Sequence, residues 1–351
     1  MTARGIVWWV AVAALLALQG RADAQTVGSS DSAISNHGEV RLIALGDINL
    51  GRTLGKILLR GDTLHPFRRL IDTLAAYDVV FANLESSLSD QKGETEDPHN
   101  NYVFTGPPSG AWSLRKGGVT VVATANNHAL DYGIRGQRET LASLDSAGIM
   151  HAGSGRTTRE TYEPAMFSVN GVRIALFACA GLMNIRPPRW DTLVAYSDTA
   201  RLFPLIRSWR DSVDFVILSY HGGEEYADRP TAGTIGFTRA AAKAGVDLVL
   251  GHHPHVPYGI VREGGSVIAH SLGNCVFEQP SRYWTRYGLA LAVRLVKDRA
   301  GHRVDVLRCL PVRCGYQPEI LPPGADAARV LERVRRLSTG AAEEWFTWRS
   351  H

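Results

Sequence analysis

Cysteine is scarce. Four occur in 351 residues and none forms a C-x-x-C pair, which excludes a disulfide-dense scaffold and a thiolate zinc site. Cys309 and Cys314 alone are close enough in sequence to staple a local loop in an oxidising compartment, and Cys179 ends an apolar run and reads as core. An excess of one charge is also lacking. Lys and Arg number 38 against 34 Asp and Glu, a formal charge of +4, and no basic block exceeds two adjacent residues. Nucleic acid is thereby excluded as a partner. No heptad, fixed-period repeat or second long apolar run is present, so coiled coils, repeat arrays and multi-span membrane proteins are excluded too. What remains is an ordinary globular composition, 45% hydrophobic and 21% charged.

The one long apolar run is N-terminal. Arg4 precedes 13 apolar residues (6–18), then Gln19-Gly20-Arg21 and Ala22-Asp23-Ala24. A positive start, a short greasy middle and an A-x-A site are the layout of a secretory signal over 1–24. The run is short for a hydrocarbon core of ~30 Å. The reading is an exported protein, periplasmic or extracellular, released after Ala24 or retained by an uncleaved N-terminal anchor. Residues 25–38, rich in Ser, Asp and Gly, read as a flexible leader.

From residue 40, short apolar runs alternate with amphipathic stretches. Strands are expected at 40–45, 79–82, 119–123, 172–178, 215–220 and 246–250, apolar throughout as in strands covered on both faces. Helices are expected at 54–60, 66–77, 135–147, 200–210 and 233–244. This alternation predicts an α/β protein with a largely parallel sheet. After Gly251, strand-like runs at 267–270, 289–296 and 302–310 succeed one another without crossover helices, which predicts an antiparallel second sheet; helical spacing returns at 325–337. Asn170-Gly171, between apolar runs, predicts a hairpin. No linker divides the chain, so one domain is expected over 39–320, with a C-terminal helical extension at 321–351.

Polar residues stand directly after the strands. Gly46-Asp47-Ile48-Asn49 follows the first, Asn83-Leu84-Glu85 the second and Asn126-Asn127-His128 the third, with Asp131 close behind. His221-Gly222-Gly223-Glu224-Glu225 and Gly251-His252-His253-Pro254-His255 follow two more. Ligands of open α/β sheets bind outside the carboxyl ends of strands. Six of the twelve histidines lie in these segments or at His270, which ends a later strand. Imidazole, carboxylate and amide donors without thiolate suit Zn, Mn, Fe or Ni. Plainer readings stand beside this one. A Gly-Asp after a strand also serves as a turn or helix cap, and Asn-Leu-Glu alone says little. His253 and His255 point the same way only in an extended segment, which Pro254 favours at His253.

As an ordered set these stretches resemble a known family. Gly-Asp-Ile-Asn-Leu-Gly-Arg (46–52), Phe-Ala-Asn-Leu-Glu (81–85), Ala-Asn-Asn-His-Ala-Leu-Asp-Tyr-Gly (125–133), His-Gly-Gly-Glu-Glu-Tyr (221–226), Gly-His-His-Pro-His-Val (251–256) and His-Ser-Leu-Gly-Asn-Cys-Val-Phe (270–277) are similar to the capsule synthesis protein CapA family. That family is associated with poly-γ-glutamate synthesis and related to calcineurin-like metallophosphoesterases. The resemblance implies a two-sheet sandwich flanked by helices, holding two divalent metal ions (Mn, Fe or Zn). By position it implies Asp47, Asn49, Glu85, Asn127, His221, His253 and His255 as metal ligands, with Glu85 bridging, and His252 as the alternative to His253. His128 would be the acid that protonates the leaving group, and Glu224 or Glu225 would orient water or a substrate amine. Arg52 and Asn274 are the substrate-binding candidates. The chain departs from the related phosphoesterases in having Asn49 for a His and Glu85 for an Asp, and from the family in Gly222, His270 and Cys275. Three readings follow: a metal-dependent hydrolase or transferase on an anionic polymer, a non-catalytic metal-containing partner of a membrane polymer-synthesis complex, or a periplasmic phosphoesterase unrelated to capsule.

Overall fold

The first strand sets the layers. In β1 (Glu39–Ile48) every residue but Glu39 and Arg41 is buried, and successive side chains take opposite faces. Leu42 and Ala44 enter one apolar cluster, Ile43 and Leu45 another. The computed structural model describes residues 38–90, 95–97 and 99–347; the expected signal and all of the leader but Gly38 lie outside the described residues.

Further strands are β2 (Val79–Leu84), β3 (Ser87–Leu88), β4 (Glu96–Asp97), β5 (Asn100–Gly106), β6 (Val121–Ala123) and β7 (Met150–Ala152). β8 (Ala165–Val169), β9 (Val172–Ala180), β10 (Phe215–His221), β11 (Leu248–His252), β12 (Ile260–Glu263) and β13 (Ser266–Ala269) come next. The last are β14 (Asn274–Val276), β15 (Tyr287–Asp298), β16 (Gly301–Arg313) and β17 (Glu319–Ile320). One sheet runs β17-β16-β15-β1-β2-β6-β7, with β14 beside the end of β1. The other runs β12-β13-β11-β10-β9-β8, and β3, β5 and β4 make a small third sheet.

The facing sides of the two large sheets share one core. Leu42, Phe81, Val121 and Leu291 of the first meet Ile174, Leu176, Ile217 and Leu250 of the second. Each fully buried side chain of this size contributes about 1.5–3 kcal/mol. The outer faces are covered by helices: Ile43 and Val80 by Leu54, Leu58 and Leu144, and Phe177 and Leu218 by Leu202, Ile206 and Ala241. The α/β sandwich flanked by helices is therefore the fold observed.

Three expectations change. The late strands build no separate antiparallel sheet. β15 instead adds antiparallel to the open edge of β1, from Glu39↔Val296 to Ala44↔Leu291, and β13 adds parallel to β11 with β12 antiparallel beside it, so both sheets are mixed. The helix expected at 66–77 is a 3-10 turn, His65–Phe67, and a short helix, Ile71–Leu74; Phe67, Leu70 and Leu74 are still buried, so the spacing holds without a continuous helix. Cys309 and Cys314 form no disulfide, because Cys309 points into the inter-sheet core while Cys314 packs against the other face of the sheet. The hairpin is as expected: Asn170 and Gly171 both have positive φ, 51° and 79°, between β8 and β9. The helix Ala325–Arg336 sends Val330, Leu331 and Val334 into the inter-sheet core.

Candidate metal centre

Parallel strands from both sheets end on one rim. Asp47 lies at the end of β1, Glu85 just beyond β2, and Asn127 and His128 beyond β6; His221 ends β10 and His252 ends β11. Two glycines allow the close approach. A Cβ on Gly46 would sit 2.0 Å from the Gly273 carbonyl oxygen, and one on Gly251 2.1 Å from that of His270.

Asp47 ties the sheets together. Its Oδ1 is 3.1 Å from His252 Nδ1 and accepts a hydrogen bond from Asn83 Nδ2 at 2.8 Å; its Oδ2 is 3.4 Å from His255 Nδ1. Burial alone would raise this carboxyl, but the hydrogen bonds with His252 and His255 outweigh it and hold it well below the usual range. Glu85 is its opposite. It is fully buried, neither oxygen has a hydrogen-bond partner, and burial together with the charge of Asp47 pushes it well above the usual carboxylate range. Around its Oε1 stand His221 Nε2 at 3.5 Å, His255 Nε2 at 3.8 Å and His128 Nε2 at 3.9 Å.

The imidazoles are held by amides. His221 Nε2 lies 2.7 Å from Asn127 Oδ1 and its Nδ1 3.1 Å from Asn83 Nδ2. Burial and the neighbouring His253 keep His221 neutral, its pKa well below the usual imidazole value, and burial with His255 brings His253 down to about 3. His128 Nδ1 is 2.6 Å from Asp131 Oδ2, which also accepts the Phe104 backbone N–H at 2.7 Å, and the Phe104 ring stacks on His128 at 4.0 Å.

His253 and His255 converge in an unexpected way. Their segment is not extended: φ is 94° at His253 and 58° at His255, conformations that cost of order 1–3 kcal/mol each for ordinary residues. The centres of the two rings lie 6.1 Å apart.

Two further candidates are held by hydrogen bonds. Asn49 turns its Oδ1 back to its own loop, accepting the Gly51 N–H at 2.8 Å. Asn274, expected to touch substrate, is fully buried. Its Oδ1 meets His255 Nδ1 at 2.9 Å, and its Nδ2 donates to Gln279 Oε1 and the Thr285 carbonyl. Glu225 is exposed beside His253 and His255, Glu224 is exposed next to it, and Arg52 is half-buried over the Phe104 ring. Sequence reasoning missed Phe104, whose strand carries no ligand pattern, and Asn184, which accepts from Asn127 Nδ2 at 3.2 Å. The His-x-x-Asp turn spacing was the available signal for Asp131.

The donors fit a divalent cation. Among the described residues three groups bring their ligand atoms within 4.8 Å of one another: Glu85, His221 and His253; Asp47, Glu85 and His255; and Glu225, His253 and His255. Neutral imidazoles, buried carboxylates and the orphaned oxygens of Glu85 are what such an ion requires.

Fold and site together define a class: a two-sheet α/β protein whose parallel strands end on a buried carboxylate–imidazole cluster suited to divalent metal. The chain belongs to the bacterial capsule synthesis protein PGA_cap family, whose model matches residues 41–279. It is 29% identical over 318 residues to the capsule biosynthesis protein CapA of Bacillus anthracis, covering 87% of this chain and 75% of that protein. It is 31% identical over 245 residues to the PGA biosynthesis protein CapA of Bacillus subtilis (strain 168), covering 69% of this chain and 63% of that protein. Among solved structures it is similar to a hypothetical protein from Thermus thermophilus, at 18% identity and a TM-score of 0.47, over 76% of this chain and 97% of that one.

Proposed function

We propose that this chain is an exported, metal-dependent hydrolase or transferase acting on an anionic polymer of the poly-γ-glutamate type in capsule synthesis. The observation carrying the reading is Glu85, a sealed carboxylate with no hydrogen bond, ringed by imidazoles. Burying such a group without a partner is costly, and a cation removes the cost. Two ions are supported by the two donor groups that share Glu85: with His221 and His253 on one side, and with Asp47 and His255 on the other. Asn127, against His221, would complete the first group. When bound, a divalent pair supplies Lewis acidity and a water whose pKa falls toward ~7.

The chain's own residues do the rest. Asp131 holds His128 through Nδ1, so Nε2 is the nitrogen directed at Glu85 and at the leaving group it protonates. Phe104 fixes the plane of that ring. Glu225 stands at the exposed rim beside His253 and His255, where it receives a proton from an entering water or amine, with Glu224 adjacent. Asn274 keeps His255 in register.

A second reading is a metal-containing, non-catalytic partner of a membrane polymer-synthesis complex. Asn49 favours it, because the oxygen that would replace the phosphoesterase imidazole is occupied by the Gly51 N–H. Metal analysis of the purified chain, followed by assays on poly-γ-glutamate and on bis(p-nitrophenyl) phosphate with added Mn2+ or Zn2+, separates the readings. Bound metal with polymer cleavage is the expected result. Bound metal with no turnover of either substrate leaves the binding partner, and absence of metal overturns both readings; phosphodiester turnover alone leaves a phosphoesterase unrelated to capsule.

A further inference from the structure

The three donor groups overlap, and only one of them reaches water. Asp47, Glu85 and His221 are 0% exposed, and His253 and His255 are 2% exposed, whereas Glu225 stands in solvent. His253 belongs both to the group with Glu85 and His221 and to the group with Glu225; His255 belongs both to the group with Asp47 and Glu85 and to the group with Glu225. The rim group is therefore joined to each buried group by a shared imidazole. The backbone fixes this overlap. The Gly222 N–H donates to the His252 carbonyl at 3.1 Å, and the Tyr226 N–H donates to the Pro254 carbonyl at 2.9 Å. Both ends of the segment carrying Glu225 are thus tied to the segment carrying the two histidines, and Gly223, at φ 115°, makes the turn between the ties. His253 Nδ1 is buried and has no hydrogen-bond partner, which leaves a nitrogen of that imidazole open to a cation.

We infer that Glu225, His253 and His255 form a loading station, a rim site at which a divalent cation is captured before it passes to the buried donors. This rests on the metal-centre reading given above. Donors sealed from solvent cannot meet a hydrated ion directly, and a buried metal site needs an entry path. An exposed carboxylate attracts the ion and supplies a first oxygen ligand. His253 or His255 then keeps its hold while Glu85, whose oxygens have no hydrogen bond, takes the place of Glu225. The handover exchanges one carboxylate oxygen for another and releases bound water; nothing is oxidised or reduced. His128 also stands near Glu85, at 3.9 Å, but belongs to none of the three groups, so that side offers no relay of ligands. Once the ion has moved inward, Glu225 is free at the rim for the proton role proposed above.

Metal uptake by the full chain, first stripped with a chelator, tests this. Co2+ is the probe, followed by its visible absorption in stopped flow and by elemental analysis at equilibrium. Glu225→Gln should slow uptake roughly tenfold or more, with Kd and final Co2+ content unchanged. Release into excess EDTA should slow by the same factor, because entry and exit share one path. Glu225→Asp should fall between, since it keeps the charge and shortens the reach. Glu224→Gln should match the parent, because Glu224 is also exposed but belongs to no donor group. Parent-like rates in Glu225→Gln overturn the station. Equal slowing in Glu224→Gln overturns it too, leaving only attraction by negative charge. Lower final Co2+ content in Glu225→Gln makes Glu225 a resident ligand and likewise overturns it. In all three results the parent still binds metal; a parent that binds no Co2+ sinks the metal-centre reading and the station together.

Discussion

Glu85→Gln should make the chain more stable without metal and deaf to metal. Glu85 is fully buried, both oxygens lack a hydrogen bond, and its nearest imidazole nitrogens stand at 3.5, 3.8 and 3.9 Å. A buried, unsatisfied polar group costs about 1–3 kcal/mol, more if charged. Its acid form is favoured in the folded chain, because burial and Asp47 raise its pKa above the ordinary 4.5. Above pH ~4.5 the unfolded carboxyl is ionised, so folding must take up a proton or bury a charge; below it neither is needed. The advantage of Gln is thus present at pH 7 and fades as pH falls through 4.5. In EDTA at pH 7 the variant should melt higher by about 2–6 °C, taking roughly 2 °C per kcal/mol for a large domain. The parent should gain about 2.7 kcal/mol, or about 5 °C, at a metal concentration a hundredfold above Kd, and the variant little. Thermal melts with EDTA, Mn2+ and Zn2+ decide the matter. If the metal-induced rise survives in Glu85→Gln, or if the variant is less stable than the parent in EDTA, Glu85 is not the shared ligand.

Other residues separate by assay. Asn127→Ala and His253→Ala should each lower bound metal in elemental analysis, about 10–100-fold in affinity where a supporting or ligating side chain is lost. His128→Ala should retain metal and lose about 10²–10⁴-fold in turnover; metal loss equal to that of His253→Ala would remove it from the acid's role. Asp131→Asn should leave metal content and KM near the parent values while lowering kcat and displacing the pH–rate profile, since it acts through the His128 ring; an unmoved profile would reduce it to a structural part. His270, away from the cluster and brought down to about 4 by burial and Arg239, must be neutral in the fold. Its depressed pKa leaves stability complete above pH ~6.5 and removes on the order of 3 kcal/mol as pH falls toward 4. Urea melts of His270→Gln should show a flatter acid limb, and a limb as steep as the parent's would contradict the buried neutral ring.

What was legible in the sequence follows from what is local. Parallel strands covered on both faces must be apolar throughout, so Asp47, Glu85, Asn127, His221 and His252 stand out where such runs stop. The rim position then follows from the general placement of ligands at carboxyl ends. The rest is not local. That β15 completes the edge of β1 depends on an open edge at Glu39–Ala44, which no feature of residues 287–298 announces. Asn49 and Asn127 are the same residue type after similar strands, yet one caps a turn and the other faces His221; only the position of the neighbouring N–H and imidazole separates them. Asn274 is no easier to place from sequence, since a buried amide beside a histidine and an exposed one beside a substrate are spelled alike. The convergence of His253 and His255 also needed more than pattern. An alternation argument assumes ordinary strand backbone, whereas the chain bends both residues to positive φ, next to a contact that no local pattern announces: Asp47, 205 residues before His252, meets that ring from the opposite sheet. The site is thus a product of sheet-to-sheet packing, and substitutions in the core between β1 and β11 should disturb it without touching a single donor.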